Sequence, residues 1–483
     1  MSFYVTTAIP YVNAAPHLGH ALELVQADVL ARHRRLRGSR VRFLTGTDEN
    51  ALKNVTAAAA AGVDVTGFVA ANADRFEALR DVLDLSFDDF IRTSRDPRHA
   101  RGVEELWRRT AEHGDFYRRD YEGLYCPGCE QFYEPGELTA GLRCPEHGTV
   151  PETVTESNWF FRLSGYTERI LKALLSGEVR VEPAAKRNEV LAFVRAGLQD
   201  ISVSRPAARA GGWGIPVPGD PSQVVYVWWD ALANYVTALG SSGGALYEQW
   251  WQDPAERVHV IGKGIVRFHA VYWLALLLSA GLPLPTAIFV HEYLTVGGAK
   301  LSKSAGNAVD PAALAGRYGS DALRWWLLRE VAPLGDTDFT EERLLQRYHQ
   351  DLANGLGNLV NRTISLVQRY RGGVVPSATS PGAAALPAAV DRALAVFDLR
   401  AATDAIWAAV AAGNRLVEET RPWELARRGQ AGELDTVLSD LVALCRVVTR
   451  ELGPFLPAGA ARLAAQLGDG ALVGTPSPVF PRL

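Results

Sequence analysis

The first fifty residues constrain the fold most. FYVTTAI (3–9) is β-branched, PYVNAAPHLGH (10–20) is turn-rich, and ALELVQADVLARHRRLRG (21–38) has the apolar spacing of an amphipathic helix. VRFLTGTDEN (41–50) follows as a second short buried strand, with its polar residues at the carboxyl end. Strand, helix and strand at this spacing imply a parallel, doubly wound α/β sheet of the Rossmann-like kind. Ligands of such sheets sit beyond the carboxyl ends of strands, where His17-Leu18-Gly19-His20 and Thr47-Asp48 both fall.

Further along, helices are predicted to fill 52–112. From about Tyr117 to Gly148 the texture changes to short Gly-, Pro- and Cys-rich segments, as in a small inserted module. Strand-like runs return at 223–229, 256–262 and 287–296 and give the second half of the sheet domain. After Asp310 the pattern is almost wholly helical: one long helix over 344–370, a loop over 374–390, then helices at 391–413, 415–428 and 433–452. The expected division is 1–116 and 201–299 for the two halves of the sheet domain and 117–200 for the insertion. Residues 300–344 link these to an all-α domain at 345–483.

The chain of 483 residues can hold two to four domains. No apolar run reaches the ~18–20 residues of a membrane span. The N-terminus lacks a basic segment and cleavage site, so cytoplasmic residence without a membrane is expected. A net charge of −4 gives no global argument for nucleic-acid binding, although a local basic face would suffice. Arginine greatly outnumbers lysine. Against that bias Lys300 and Lys303 stand together in one pentapeptide, which points to a need for compact ammonium charges.

Three motifs carry chemistry. HLGH, on a strand-to-helix turn, offers two imidazoles and a helix N-terminus to a phosphate chain, and Gly19 permits close approach. Lys300-Leu301-Ser302-Lys303-Ser304 places two cations in a Gly-led loop, suited to charge developing on a leaving phosphate group. Cys126-x2-Cys129-x14-Cys144-x2-His147 has the spacing of a closed, tetrahedral Cys3His zinc site, structural rather than catalytic. Cys445 lies on an apolar helix face and reads as buried.

Together these segments resemble a class I aminoacyl-tRNA synthetase, and within that class the methionyl family. AIPYVNAAPHLGHA, FLTGTDEN, the cysteine module, WGIPVPGD, YVWWDALANY, RFHAVYW and FVHEYLTVGGAKLSKSAGN carry the likeness over nearly the whole chain. The resemblance implies an ATP-dependent ligase that forms an aminoacyl-adenylate and passes the acyl group to tRNA. Magnesium–ATP and a structural zinc ion are its implied cofactors, and L-methionine and tRNA(Met) its other partners. By the same likeness His17, Gly19, His20, Lys300, Ser302 and Lys303 bind ATP. His17, His20, Lys300, Lys303 and Arg205 stabilise the transition state. Asp48 takes the substrate ammonium, and Ile9, Tyr11, Trp228, Tyr235 and His291 form the amino-acid pocket. Asn358, Arg362 and Trp423 would read the anticodon, the tryptophan as a stacking platform. Aromatic edges suit a polarizable thioether. Two departures stand out: Leu232 where many relatives carry Pro, and Gly264 where many carry Asp. Rival readings are a paralogue with shifted amino-acid or inhibitor specificity, a non-catalytic tRNA-binding paralogue, and a small nucleotidyltransferase. A monomer is expected.

Overall fold

The computed structural model describes residues 2–240, 243–252, 256–301, 306–377 and 385–483. The chain forms two compact units. One comprises residues 1–16, 38–78 and 87–291, the other 17–37, 79–86 and 292–483.

The first unit is built on a parallel sheet begun by β1 (Ser2–Thr7), β2 (Arg40–Thr47) and β3 (Asp89–Arg92). The chain leaves it through β4 (Phe116–Cys126), β5 (Gln131–Tyr133) and β6 (Glu152–Phe161). It returns with β7 (Arg180–Glu182), β8 (Glu256–Gly262) and β9 (Ala287–His291). The spatial order is β3-β2-β1-β8-β9-β7, and every pairing is parallel. Val5 of the fully buried β1 lies between Phe43 and Val258, which accounts for the β-branched, apolar character of these strands. Strand order reverses between β1 and β8, so their carboxyl ends open the crevice where ligands of doubly wound sheets bind.

Several local expectations are corrected. The stretch 52–112 is not all helix, because β3 interrupts it; a four-residue strand is too short to leave a periodic signature. The run 223–229 splits: a strand ends at Val225 and a helix begins at Val227, so Trp228 and Tyr235 stand on Val227–Thr237. Aromatic and β-branched runs of this length do not distinguish the two periods. The inserted module is more regular than its Gly- and Pro-rich texture implied. β4 and β6 pair antiparallel from Phe116↔Phe161 to Tyr125↔Glu152, with the cysteines at the outer end.

The second unit is mainly helical, with a small sheet formed by Leu294–Val296, Ala299–Lys300 and Thr337–Asp338. The run 287–296 thus yields two strands in different sheets. The predicted helix at 344–370 is a continuous helical path that widens over Tyr348–Gly357. Gly355 sits there because a Cβ would lie 2.9 Å from the Trp407 ring. Later helices run over Ala385–Ala395, Leu399–Thr420, Pro422–Arg427, Ala431–Leu452 and Pro457–Leu467; the first starts inside the segment expected as loop. Helix Leu18–Leu36 joins this unit through a buried charge. Arg324 donates to the carbonyls of Phe455, Leu83 and Pro454 and pairs with Asp28 at 2.8 Å. A guanidinium with its donors so satisfied is tolerable in a dry interior. No single helix among the described residues is long and apolar enough to cross a membrane.

Candidate active site

In the first unit, Tyr11 and Asp48 follow β1 and β2 and are locked by a parallel bridge, with Asp48 N–H donating to Pro10 O at 2.9 Å. Trp228, on the helix that follows the Val225 strand end, meets Tyr11 edge-on at a centroid distance of 6.3 Å. Its indole also stacks on Phe268 at 3.6 Å, and Ile9 packs on the same core. Tyr11 and Trp228 therefore frame one corner, with Asp48 bridged to Tyr11 at its base.

Asp48 is buried, and its Oδ1 has no hydrogen-bond partner. Burial, with the charges of Asp230 and Glu130 next, raises its pKa well above the carboxylate range. An uncompensated buried carboxylate is costly, and a bound cation removes the cost. The Tyr11 hydroxyl is likewise buried without a partner, its pKa raised by burial and then by Glu130 and Asp48. This corner is polar at its base and aromatic at its walls, which suits a ligand with an ammonium group and an apolar tail.

Tyr235 is buried deeper. Its hydroxyl lies 2.6 Å from His269 Nε2, while His269 Nδ1 lies 2.9 Å from the Ile265 carbonyl. The carbonyl can only accept, so the proton sits on Nδ1 and the tyrosine donates to Nε2. His259 is fixed similarly: Trp273 Nε1 donates to its Nε2 at 3.1 Å, leaving Nδ1 to donate to Thr6 Oγ1 at 2.7 Å. Burial lowers the pKa of both rings, that of His269 to about 4. His291 ends β9, in register with Gly262, and is buried. Leu232 is buried in the same core as Tyr235. Gly264 lies in the turn Lys263–Ile265 that follows β8.

Arg205 is directed toward the cysteine module. It donates to Tyr125 Oη at 2.7 Å and stands 4.0 Å from the Glu130 carboxylate. The ligand atoms of Cys126, Cys129, Cys144 and His147 all lie within 4.8 Å of one another. All four cysteines are free thiols, with Cys129 Sγ 3.4 Å from Cys144 Sγ and 3.2 Å from His147 Nδ1. Sulfurs ~3.8 Å apart would surround a zinc ion with ~2.3 Å bonds, so three thiolates and an imidazole at these separations fit it. Gly128 is required, since a Cβ there would lie 2.7 Å from the His147 ring. The module also braces the pocket: Trp228 Nε1 donates to Cys129 O at 3.4 Å, and the Tyr226 hydroxyl donates to Glu130 O.

In the second unit His17 caps helix Leu18–Leu36. Its Nδ1 accepts from Gly19 N–H at 3.1 Å, while His20 Nδ1 accepts from His17 N–H at 3.0 Å. The rings stack at 3.9 Å. With both Nδ1 atoms accepting, each neutral ring carries its proton on Nε2 at a helix N-terminus. Lys300 lies on the Ala299–Lys300 strand, its Nζ 4.1 Å from the Tyr293 ring centroid. Ser302 and Lys303 lie outside the described residues. Asn358 is exposed at the start of helix Asn358–Arg371, and Arg362 is half-buried one turn on. Trp423 is 42% exposed behind Pro422 at the start of its helix.

The family model for class I tRNA synthetases (M) matches residues 3–149 and 133–364. The chain belongs to that family. It is 41% identical to the methionine–tRNA ligase of Brucella suis, over 99% of this chain and 98% of that protein. It is 40% identical to that of Caldanaerobacter subterraneus, over 97% of this chain and 74% of the other. The Mycobacterium tuberculosis methionyl-tRNA synthetase in complex with methionyl-adenylate superposes with a TM-score of 0.92 at 39% identity, each chain fully covered. In this synthetase the sequence reading missed His259, His269, Asp230 and His99. RFHAVYW, with His269, and YVWWDALANY, with Asp230, held the usable signals, each a polar residue in a largely apolar run.

Proposed function

We propose that this synthetase activates L-methionine with ATP and transfers it to tRNA(Met). The carboxylate attacks the ATP α-phosphate, giving methionyl-adenylate and pyrophosphate; the acyl group then passes to the terminal ribose of the tRNA. Membership of the methionyl family over almost the whole chain carries this reading. The buried corner of Tyr11, Asp48 and Trp228 supports it with a matching shape of charge: a carboxylate for the ammonium and aromatic rings for the thioether.

In this reading Asp48 holds the ammonium, while Ile9, Tyr11, Trp228, Tyr235 and His291 enclose the side chain. His17 and His20 stabilise the ATP phosphates from the helix N-terminus, with Gly19 leaving room for them. Lys303 neutralises the pyrophosphate with Lys300 and Arg205 assisting, and Ser302 belongs to the same ATP-binding loop. No covalent nucleophile is needed, because positioning and phosphate electrostatics carry the first step. Magnesium accompanies ATP. Zinc on Cys126, Cys129, Cys144 and His147 would hold the module closed, a structural role. Asn358, Arg362 and Trp423 meet the anticodon. The enzyme acts as a monomer in the cytoplasm. ATP–pyrophosphate exchange over a panel of amino acids tests the reading. Methionine-dependent exchange is the expected result, and exchange with another amino acid alone would replace methionine as substrate.

A further inference from the structure

Lys300 stands on a hairpin with little of its own to hold it. Leu294–Val296 and Ala299–Lys300 share two residue pairs, Thr295↔Lys300 and Val296↔Ala299. Gly297 and Gly298 make the turn at φ of +61° and +76°, the left-handed pair that a two-residue type I′ hairpin needs. A two-stranded hairpin this short is marginal in water. Its support is the parallel strand Thr337–Asp338, with Leu294↔Thr337 and Thr295↔Asp338 in register. Thr337 N–H donates to the Tyr293 carbonyl at 3.1 Å, and Phe339 N–H to the Thr295 carbonyl at 2.8 Å.

Two carboxylates, on either side of Thr337, add what the backbone ladder leaves out. Asp338 Oδ1 accepts from the Thr295 hydroxyl at 2.8 Å and from Gly298 N–H, in the turn itself, at 2.9 Å. Asp336 Oδ1 accepts from Tyr293 N–H at 3.0 Å. The Gly298 N–H, and then the Thr295 hydroxyl, hold the Asp338 carboxyl below the usual carboxylate range, as expected of charge-assisted bonds. Asp338 thus grips the strand and turn that lead into Lys300, directly opposite Thr295. Asp336 grips the residue on whose ring the Lys300 ammonium lies, 4.1 Å from the centroid. Lys300 is exposed and Tyr293 half-buried, so the reach of the lysine is set by the backbone that carries it and the ring beneath it. We propose that Asp336 and Asp338 are positioning residues for ATP: they clamp the hairpin at Tyr293, Thr295 and Gly298, and so fix Lys300 where it meets the phosphate chain. This rests on the ligase reading above, in which Lys300 binds ATP. A lysine placed beforehand loses less conformational freedom when its ligand arrives.

Pyrophosphate exchange with the full-length enzyme tests it. Asp338→Ala is expected to lower kcat/KM for ATP roughly tenfold, the effect of about one hydrogen bond to a charged group, with the methionine KM little changed. Asp338→Asn keeps an acceptor oxygen for both donors and returns most of the activity. Asp336→Ala and Thr295→Val, each removing a single bond, give smaller losses of the same kind. In a Lys300→Ala background Asp338→Ala adds little, because it acts through the lysine. Full additivity of those two changes, an equal loss for methionine and ATP, or ATP kinetics unmoved by Asp338→Ala and Thr295→Val, overturns the proposal and leaves the ligase reading standing. A wild-type enzyme without methionine-dependent exchange overturns the ligase reading, and the proposal with it.

Discussion

Around Asp48 and Tyr235 the polar groups are buried, and those of Tyr235 and Trp228 are held from behind, by His269 and the Cys129 carbonyl. On the helical unit Trp423 stands 42% exposed and Asn358 is exposed beside it in kind, their backbones fixed and their side chains open to solvent. On the proposed reading, the difference follows from what each would meet. A ligand as small as methionine offers few atoms, so discrimination depends on groups oriented before it arrives. An unstacked base brings a broad π-face, and a ring or guanidinium that settles on it can order on contact.

The comparison breaks first at the cysteine module, which braces Trp228 and has no counterpart among the described residues of the helical unit. Structural zinc in comparable sites is worth about 10–16 kcal/mol of apparent binding energy. Cys126→Ser, or removal of the metal with a chelator, is expected to loosen β4 and β5, release Trp228 and raise the methionine KM sharply while anticodon-stem affinity stays level. Metal analysis with parallel exchange and tRNA-binding assays reads this out. An equal loss of both functions would mean that the two regions are not independently held.

Next in size is the charge at the pocket base. If Asp48 holds the substrate ammonium as proposed, Asp48→Asn removes the partner of a desolvated charge, a change that costs about 2–5 kcal/mol in comparable pairs. The loss should fall on kcat/KM for methionine in the exchange assay and leave the ATP KM nearly unchanged. On the open surface the expected penalty is smaller. Trp423→Ala should weaken tRNA binding by about 1–3 kcal/mol, the worth of one stacked base, with methionine activation untouched. Loss of exchange activity in that variant would contradict the division of labour.

These contrasts also explain what could be read in the sequence. The parallel sheet was legible because β1, the helix after it and β2 each carry a full period of pattern. The Cys3His cluster was legible because it is written in local spacing, Cys126-x2-Cys129 and Cys144-x2-His147. Trp228, expected in the pocket by resemblance, was placed on a strand but stands on a helix, since an aromatic run fits either period. The His99–Asp230 contact was invisible for another reason. It joins residues 131 apart, and a lone histidine in a helical stretch carries no local mark of what lies across from it.

The smallest effect concerns the rigidity of the pocket itself. His269 is neutral in the fold, with Nδ1 donating to Ile265 O and Nε2 accepting from Tyr235, and burial lowers its pKa to about 4. In the unfolded chain it titrates near ~6.5. Between those values the unfolded state binds a proton that the native state refuses, so stability rises with pH through this window and is level above it. One such group contributes about 1.4 kcal/mol per pH unit at most, and His259, lowered in the same direction, adds to it. Buried Asp48, with its raised pKa, opposes the trend, so the comparison must be with a variant. Urea midpoints of wild type and His269→Gln, measured from about pH 4.5 to 7.5, should converge on the acid side and separate as pH rises, because the variant lacks this titration. Parallel curves would mean that His269 accepts its proton within the fold, and that the hydrogen bond orienting Tyr235 is not fixed before methionine arrives.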